Sequence, residues 1–283
     1  MASIPSSLKN TLKPIHYSLA TRSIRAAVAE QGLGDLYSKL EKIIPDLSGQ
    51  FSDFVVDTDY LRTKVRAQHA FQVFMIEQAL GLVRAEKKGK INVVDIGDSS
   101  GAHLLYMKGL FEKEVETLSV NIDPKAVERI KSKGLNAVCM RAENLGKTGF
   151  PQKPDLLMSF EMLEHLHDPA GFLKAMSEIG CPYFLITIPY LARSRVGLHE
   201  VRAEVTGPHT PEATHIFELS PPDWKLLFKH SGWETVYEHL YLQYPKWHPL
   251  RAYAYPFKQF DFEGFYGVVL KANPTWKDRY TGW

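Results

Sequence analysis

The stretch Val93-Val-Asp-Ile-Gly97-Asp-Ser-Ser-Gly101 is a strand-forming run that passes through a glycine-bearing turn into a helical pattern. Glycines in such a turn let the backbone approach a ligand closely and take up positive φ angles. The N–H groups exposed at the start of the next helix can bind a carboxylate or a phosphate. The C-terminal end of the first strand of an open α/β sheet is where ligands bind in such folds. The segment therefore predicts a ligand loop, although an ordinary strand-to-helix turn would have the same local pattern.

Short apolar strands alternate with helical segments around and after this loop. The predicted elements are strands at 91–96, 115–122, 137–140, 154–160 and 183–188, the last stopped by Pro189, and helices at 103–111, 124–133 and 169–179. This alternation is typical of a parallel sheet with right-handed crossovers. A helix at 223–230 follows, and then strands at 234–242 and 264–271 with no clear helix between them. We therefore predict an α/β fold with a doubly wound, mostly parallel seven-stranded sheet that ends in a C-terminal antiparallel hairpin.

Composition and charge restrict the possible classes of protein. The 283 residues are 45% hydrophobic and carry a net charge of +2, with basic and acidic residues interspersed, so a nucleic-acid partner is not predicted. No apolar run reaches the about 18 residues that a membrane span needs, and the N-terminal residues lack a signal-peptide pattern. Cys139 and Cys181 are far apart and predict no disulfide framework. We expect a cytoplasmic protein with no membrane partner, and a homodimer is left open.

The glycine-bearing loop resembles a known motif. Asp95-Ile-Gly-Asp-Ser-Ser-Gly101 is similar to the Asp-x-Gly-x-Gly-x-Gly first motif of class I (Rossmann-like) S-adenosylmethionine-dependent methyltransferases, with Ser99 in place of the middle glycine. The resemblance implies S-adenosyl-L-methionine as cofactor. From this loop it implies, as cofactor-binding residues, Asp95, Gly97, Asp98, Ser99 and Gly101.

Three further segments follow in the order and spacing of that family. Asn121-Ile-Asp-Pro resembles the ribose-binding segment, Arg141-Ala-Glu143 the segment beside adenine, and Asp155 to Pro169 the fourth-strand signature of the small-molecule and glycan members. The implied cofactor-binding residues of these segments are Asn121, Ile122, Asp123, Ala142, Glu143, Ser159, Phe160 and Glu161. Asn121 and Arg141 stand where the family usually has acidic residues. For Asp123, a turn and helix cap is an equally good interpretation.

The regions outside these motifs are predicted to cover the site. Residues 1–90 carry apolar residues at helical spacing over 18–30, 35–44 and 60–85, so we predict an N-terminal helical extension or cap. Residues 91–283 then form the methyltransferase domain. Within it, segments 190–219 and 242–263 are predicted acceptor loops, and the aromatic-rich second one could equally be a dimer contact.

Catalysis is predicted to depend on histidine. Methyl transfer needs an aligned acceptor and, for a hydroxyl, a base, and histidine titrates near neutral pH. The segment after the fifth strand is rich in histidine, and we favour His199 and His215 as bases. These residues with His165 and His167 could instead hold a divalent cation, but no compact motif such as His-Glu-x-x-His is present, so no metal is predicted.

The sequence therefore predicts an S-adenosylmethionine-dependent methyltransferase that acts on a small molecule or a sugar, with O-methylation as the expected reaction. One alternative is a non-catalytic protein that binds this cofactor or serves in assembly, because Ser99, Asn121 and Arg141 depart from the family pattern. A less favoured alternative is an NAD-dependent oxidoreductase, which the missing Gly-x-Gly-x-x-Gly pattern and the final hairpin oppose.

Overall fold

The computed structural model describes residues 6–51, 55–145, 153–197, 201, 214–248 and 264–281. His199, one of the two predicted bases, lies outside the described residues. The same is true of 202–213 and 249–263, which make up much of the two predicted acceptor loops.

The predicted seven-stranded sheet is confirmed. The described strands are, in chain order, β1 (Ile91–Ile96), β2 (Val115–Asn121), β3 (Ala137–Cys139), β4 (Leu156–Phe160), β5 (Tyr183–Tyr190), β6 (Arg195–Val196), β7 (Phe217–Glu218), β8 (Trp233–Leu242) and β9 (Gly264–Ala272). The main sheet has the order β3-β2-β1-β4-β5-β9-β8, while β6 and β7 pair separately. Neighbours from β3 to β5 are parallel, and β9 pairs antiparallel with both β5 and β8. The strand order reverses between β1 and β4, so their carboxyl ends border the crevice where open α/β sheets bind ligands.

Helices cover both faces of this sheet. They are α1 (Ser6–Glu30), α2 (Gly34–Ile43), α3 (Asp59–Glu86), α4 (Ala102–Phe111), α5 (Pro124–Ser132), α6 (Pro169–Glu178) and α7 (Pro221–His230). Alternate residues of β1 enter two cores: Val93 packs with α3 and α4, whereas Val94 packs with α6 and α7. Two buried faces explain why the central strands are almost continuously apolar. None of the described helices combines the length and the apolar character that a membrane crossing requires.

Two predicted boundaries were wrong. The fifth strand does not stop at Pro189 but continues to Tyr190, with Pro189 opposite Phe265 of β9. Its pairing with β4 ends at Thr187, so beyond that point β5 has a neighbour on one side only. On the side without a neighbour there is no ladder hydrogen bond for a proline to remove, so β5 can continue through Pro189. At the other end of the chain, α1 begins at Ser6 and runs through Pro14, earlier than the predicted start at 18.

The N-terminal helices share a core with the sheet. Ile24 of α1, Leu40 of α2 and Phe71 of α3 belong to the same buried cluster as Val93 and Val269 of the strands. The division of the chain at residue 90 stays a prediction. What the packing does establish is that α3 lies directly against the sheet, so its polar side chains can reach the ends of the strands.

Gly267 of β9 sets how closely α3 approaches. A Cβ atom at this position would lie 2.8 Å from both Met75 Cγ and Phe71 Cζ, closer than such contacts occur. We expect Gly267→Val to lower the free energy of unfolding by about 2–3 kcal/mol, because the core is overpacked. Gly81→Ala is the matched control, since Gly81 lies in α3 with nothing within 4 Å of an added Cβ. We expect that control to gain about 0.5–1 kcal/mol. Urea denaturation measures both, and equal effects of the two variants would contradict this account.

Candidate functional site

A cavity of about 350 Å³ lies at the carboxyl ends of β1 and β4, beneath α3. Gly97 and Ser99 of the glycine-bearing loop border one side, and Gln68 and Gln72 of α3 border the other. Of the residues predicted from sequence, the structure brings to this cavity Asp95, Gly97, Asp98, Ser99, Phe160, Glu161 and His215. The other predicted residues that the structure describes do not line this cavity.

The glycine-bearing loop has the backbone geometry that its sequence predicts. Gly97 has a φ of 90° and Gly101 a φ of 79°, in the left-handed region that glycine tolerates best. Between them, Asp98 Oδ1 accepts hydrogen bonds from the backbone N–H groups of Ser100 (2.9 Å) and Gly101 (2.8 Å). Gly101 is the N-cap residue of α4. The Asp98 side chain therefore closes the turn itself and holds the loop in shape.

The same loop is tied to its surroundings on two sides. The Ser99 hydroxyl donates to the backbone oxygen of Gln50 (3.1 Å), and the Ser100 hydroxyl donates to the Gln50 side-chain oxygen (3.0 Å). From α5, Arg129 donates to the Ser99 carbonyl (3.2 Å) and Lys133 to the Ser100 carbonyl (2.5 Å). Ser99, which replaces the family's middle glycine, thus links the loop to the connector between α2 and α3.

Asp95 is a buried acid with an unsatisfied oxygen. The residue is 1% exposed, and within the described part of the chain its Oδ2 has no hydrogen-bond partner. Burial, together with the nearby Asp98 carboxylate, raises the pKa of Asp95 well above its usual value. The nearest basic side chain is His103, with its Nδ1 4.0 Å from Asp95 Oδ2. A buried acid of this kind needs a partner, and a primary ammonium group of a ligand in the cavity would supply one.

Asn121 connects the loop to the next turn. Its Nδ2 donates to the Asp98 carbonyl (2.9 Å), and its Oδ1 accepts from the Asp123 N–H (2.8 Å). Asp123 in turn caps α5, accepting from the N–H groups of Lys125 and Ala126. The cap interpretation of Asp123 therefore agrees with the geometry. Ile122, between them, is 67% exposed.

The adenine-side residues form a separate group at the end of β3. Ala142 is buried in a short 3-10 turn, and Glu143 accepts a hydrogen bond from Arg141 at 2.8 Å. Arg141, which stands where the family usually has an acid, therefore pairs with the remaining acid of that segment. Ser159 is buried at the end of β4 with its hydroxyl 3.6 Å from the Met162 sulfur. Cofactor contacts of these residues stay predictions.

A chain of buried hydrogen bonds crosses the cavity wall from α4 to the end of β4. His103 Nε2 lies 2.9 Å from Gln72 Oε1, and Gln72 Nε2 donates to the Thr187 hydroxyl at 3.2 Å. That hydroxyl donates to Glu161 Oε1 at 2.8 Å. Glu161 has a φ of 48°, an uncommon value for a residue other than glycine, and burial raises its pKa to about 8. This series of hydrogen bonds holds the Glu161 carboxylate in place at the cavity.

His103 predicts a pH dependence of stability. Burial lowers its pKa from 6.5 to about 4, so the folded protein binds this proton less readily than the unfolded chain does. The free energy of unfolding is therefore unaffected by His103 above the unfolded pKa, and it falls as the pH drops from about 6.5 towards 4. Relative to His103→Gln, we expect the wild type to lose about 2 kcal/mol of unfolding free energy between pH 7 and pH 5. Urea denaturation of both proteins at the two pH values measures this, and parallel losses would contradict it.

At the far end of the cavity, three side chains converge from two segments. Glu164 and His165 follow β4, and His215 precedes β7; their donor atoms all lie within 4.8 Å of one another. Of the two predicted bases, His215 is the one among the described residues, and its Nδ1 lies 3.0 Å from Glu218 Oε1. His165, considered from the sequence as a possible cation ligand, lies at the cavity as well.

Sequence reasoning missed several cavity residues. Gln72 and His103 sit on helices whose other residues are mostly apolar, and such isolated polar positions were the available signal. Glu164 was missed because it lies inside a recognised segment, and His215, its neighbour in the cluster, is far along the chain. The two segments meet because the backbone N–H of Ile216, next to His215, donates a hydrogen bond to the Glu164 carbonyl (2.7 Å), a long-range contact that no local pattern shows.

The chain matches a known family over residues 68–238, which is more than half of its length, and that family is described as a methyltransferase domain. No curated protein matches the chain. The match begins inside α3 and ends in β8, so it includes the whole glycine-bearing loop and the cavity-lining end of β4.

Several solved structures are similar in outline. A S-adenosylmethionine-dependent methyltransferase from Aquifex aeolicus is 15% identical, covering 83% of this chain and 98% of its own, with a TM-score of 0.45. Enzymes with the same description from Mesorhizobium loti (16% identity, 68% and 96% coverage, TM-score 0.43) and Clostridium acetobutylicum (13%, 73% and 92%, TM-score 0.46) are similar to the same extent. These scores are low, so the assignment rests on the family match, and on that match the chain belongs to the methyltransferase-domain family.

Proposed function

We propose that this protein transfers a methyl group from S-adenosylmethionine to a hydroxyl oxygen of a small molecule or a sugar. The observation that carries the proposal is one cavity lined both by Asp95, whose buried Oδ2 has no hydrogen-bond partner among the described residues, and by the cluster of Glu164, His165 and His215. One end suits an ammonium-bearing cofactor. The other offers groups that can act on a hydroxyl.

The residues present fit the cofactor. Asp95 would pair with the ammonium group of the methionine part, and Gly97 would let that part approach the backbone, because it has no side chain to intervene. The family resemblance assigns the ribose to the turn at Asn121 and Asp123, and the adenine to Ala142 and Glu143. These turns follow β2 and β3, the next strands along the same sheet edge.

S-adenosylmethionine, when bound, supplies a methyl carbon on a positively charged sulfur that is open to in-line displacement. The protein has to align the acceptor oxygen with that carbon and to help remove the hydroxyl proton. Held at Asp95 and Gly97, the cofactor would supply the methyl group and would keep the electron pair of the carbon–sulfur bond that is broken. His215 is the candidate proton acceptor, because the Glu218 carboxylate holds its other ring nitrogen.

The walls of the cavity favour a polar acceptor. Gln68 and Gln72 of α3 face it together with Lys64, while Phe160 supplies one of the apolar surfaces. Amide and ammonium groups of this kind bind hydroxyl and carbonyl groups, and an aromatic ring packs against the flat face of a sugar or phenol. These polar walls therefore favour an acceptor molecule that carries hydroxyl groups over an apolar acceptor.

Two measurements test this proposal. Calorimetry with S-adenosylhomocysteine and with NAD tests the cofactor, and we expect binding of the first and none of the second. Transfer of labelled methyl groups to a panel of sugars and phenols tests the reaction. Absence of binding to the sulfur compound would refute the proposal, and cofactor binding without transfer to any acceptor would favour a non-catalytic role.

A further inference from the structure

The far end of the cavity carries a buried acid, Glu164, whose carboxylate has no hydrogen-bond partner among the residues that the structure describes. Glu164 is 1% exposed and lines the cavity. Within the described residues, neither of its carboxylate oxygens has a hydrogen-bond partner. The nearest basic nitrogen is His165 Nε2, 3.7 Å from Glu164 Oε1. An unsatisfied buried carboxylate is costly, so a positively charged group is expected beside it.

His165 is oriented by its backbone surroundings. Its Nδ1 lies 2.8 Å from the carbonyl oxygen of Thr214, which can only accept a hydrogen bond. Nδ1 therefore carries the proton, and the lone pair of the neutral ring is on Nε2, the nitrogen on the side of Glu164. A hydrogen bond from one ring nitrogen to a carbonyl is the usual way in which proteins set the other nitrogen to bind a metal.

His215 is oriented in the same sense by a carboxylate. Its Nδ1 is 3.0 Å from Glu218 Oε1, and the second oxygen of Glu218 accepts from Arg195 Nε at 2.5 Å. The side chain of Glu218 is fully buried and thus held in place. The His215 lone pair is then also on Nε2. The two imidazole rings stand at 86° with their centroids 4.8 Å apart, so they approach one point from two directions.

The charges around this point are unbalanced. The carboxylates of Glu161 and Glu218 both act electrostatically on Glu164, so three acids share this region. Arg195 compensates the charge of Glu218, through a contact with Oε2 on the side away from Oε1. A divalent cation would compensate Glu164 and Glu161 together without moving the backbone.

We propose that Glu164, His165 and His215 bind a divalent first-row transition-metal ion at the acceptor end of the cavity. Two imidazole nitrogens and one carboxylate oxygen are a ligand set that such ions prefer. Ligand bonds of about 2.0–2.2 Å require donors on opposite sides of an ion to lie about 4–4.5 Å apart. The donors here all lie within 4.8 Å of one another, so small side-chain rotations close the site.

This assignment also changes the role of His215. The metal site stands on the geometry alone, while its use in catalysis rests on the proposed function. In the proposed reaction, the cation would bind the acceptor's hydroxyl oxygen beside the methyl donor. It would lower the pKa of that hydroxyl group, whose proton would pass to water. His215 is then a ligand with Glu218 as its orienting partner, instead of the base.

Cobalt binding tests the site directly, without cofactor or substrate. Tag-free protein is treated with chelator, desalted and titrated with Co²⁺, using visible absorption for the ligand environment and equilibrium dialysis for stoichiometry. We expect one Co²⁺ per chain. Glu164→Gln and His165→Gln should weaken binding by at least about 100-fold, and Glu218→Gln, which acts through His215, by about 10–100-fold.

His167→Gln is the matched control, because His167 is exposed in the same turn and does not line the cavity. It should bind Co²⁺ as the wild type does. Thermal unfolding of each metal-free variant shows whether it is folded, and Glu164→Gln should be at least as stable as the wild type because it removes a buried charge. No stoichiometric Co²⁺ uptake by the wild type, or equal affinity in Glu164→Gln, would overturn the proposal. Calorimetry with S-adenosylhomocysteine on the same metal-free protein separates this failure from failure of the proposed function.

Discussion

Asp95→Asn is expected to weaken the binding of S-adenosylhomocysteine by at least about 100-fold, while leaving the fold intact. The substitution keeps the size of the side chain and removes its negative charge. Breaking a buried ion pair costs about 3–5 kcal/mol, and each factor of ten in affinity corresponds to about 1.4 kcal/mol. The unpartnered Asp95 oxygen is the group that would pair with the ligand's ammonium. Isothermal titration calorimetry measures the effect without the need for a methyl acceptor.

Asp95→Asn should not destabilise the protein, although it weakens ligand binding. Asp95 and Asp98 repel each other in the protein without ligand, so the asparagine variant should unfold at the same or a higher temperature than the wild type. Asp155→Asn would be a poor control because Asp155 pairs with Lys87. Asp278→Asn is better suited, since Asp278 lies far along the chain in a short C-terminal turn. If Asp95→Asn binds the ligand with wild-type affinity, the role assigned to this carboxylate is wrong.

His215→Ala is expected to lower methyl transfer by at least about 100-fold with little change in the affinity for S-adenosylhomocysteine. Loss of a general base typically costs a factor of about 100–10,000, and loss of a metal ligand has a comparable effect. His215 lies in the cluster with Glu164 and His165, where we propose that the acceptor binds, and is not part of the loop that we propose holds the cofactor. Initial rates with labelled donor give the first quantity, and calorimetry gives the second.

His230→Ala serves as the control for this variant. His230 ends α7 and contacts Tyr280 and Trp276, outside the cavity. It should retain full transfer activity. A His215→Ala protein that is folded, binds the cofactor product and transfers methyl groups at the wild-type rate would exclude His215 from the chemistry.

Much of the fold follows from local patterns. β1 has the predicted bounds, because an apolar run between a lysine-rich segment and a glycine turn can end in few other places. The error at Pro189 has a different origin. A proline is incompatible with a strand that is paired on both sides, but a sequence does not show where the pairing of β5 with β4 stops.

The site was predictable only in part. Gly97 and Gly101 were found because their backbone conformations favour glycine, and a glycine pattern is visible in the sequence. The approach of Glu164 to His215 was not, because no local rule relates two residues that lie on separate segments and meet only at the sheet edge. The same is true of Gln72, which is an isolated polar residue in the sequence and the middle of a hydrogen-bond chain in the fold.

Asn121 illustrates how one departure from a family pattern constrains later change. Its amide donates to the Asp98 carbonyl with one end and accepts from the Asp123 N–H with the other. An aspartate, the acid of the same size, would preserve the second bond but set an oxygen against the Asp98 carbonyl. Two acceptors facing each other are unfavourable, and the buried loop could not turn away without breaking the Asp98 turn. The effect of Asn121→Asp should therefore be epistatic, since an aspartate can be tolerated here only after the loop itself has changed.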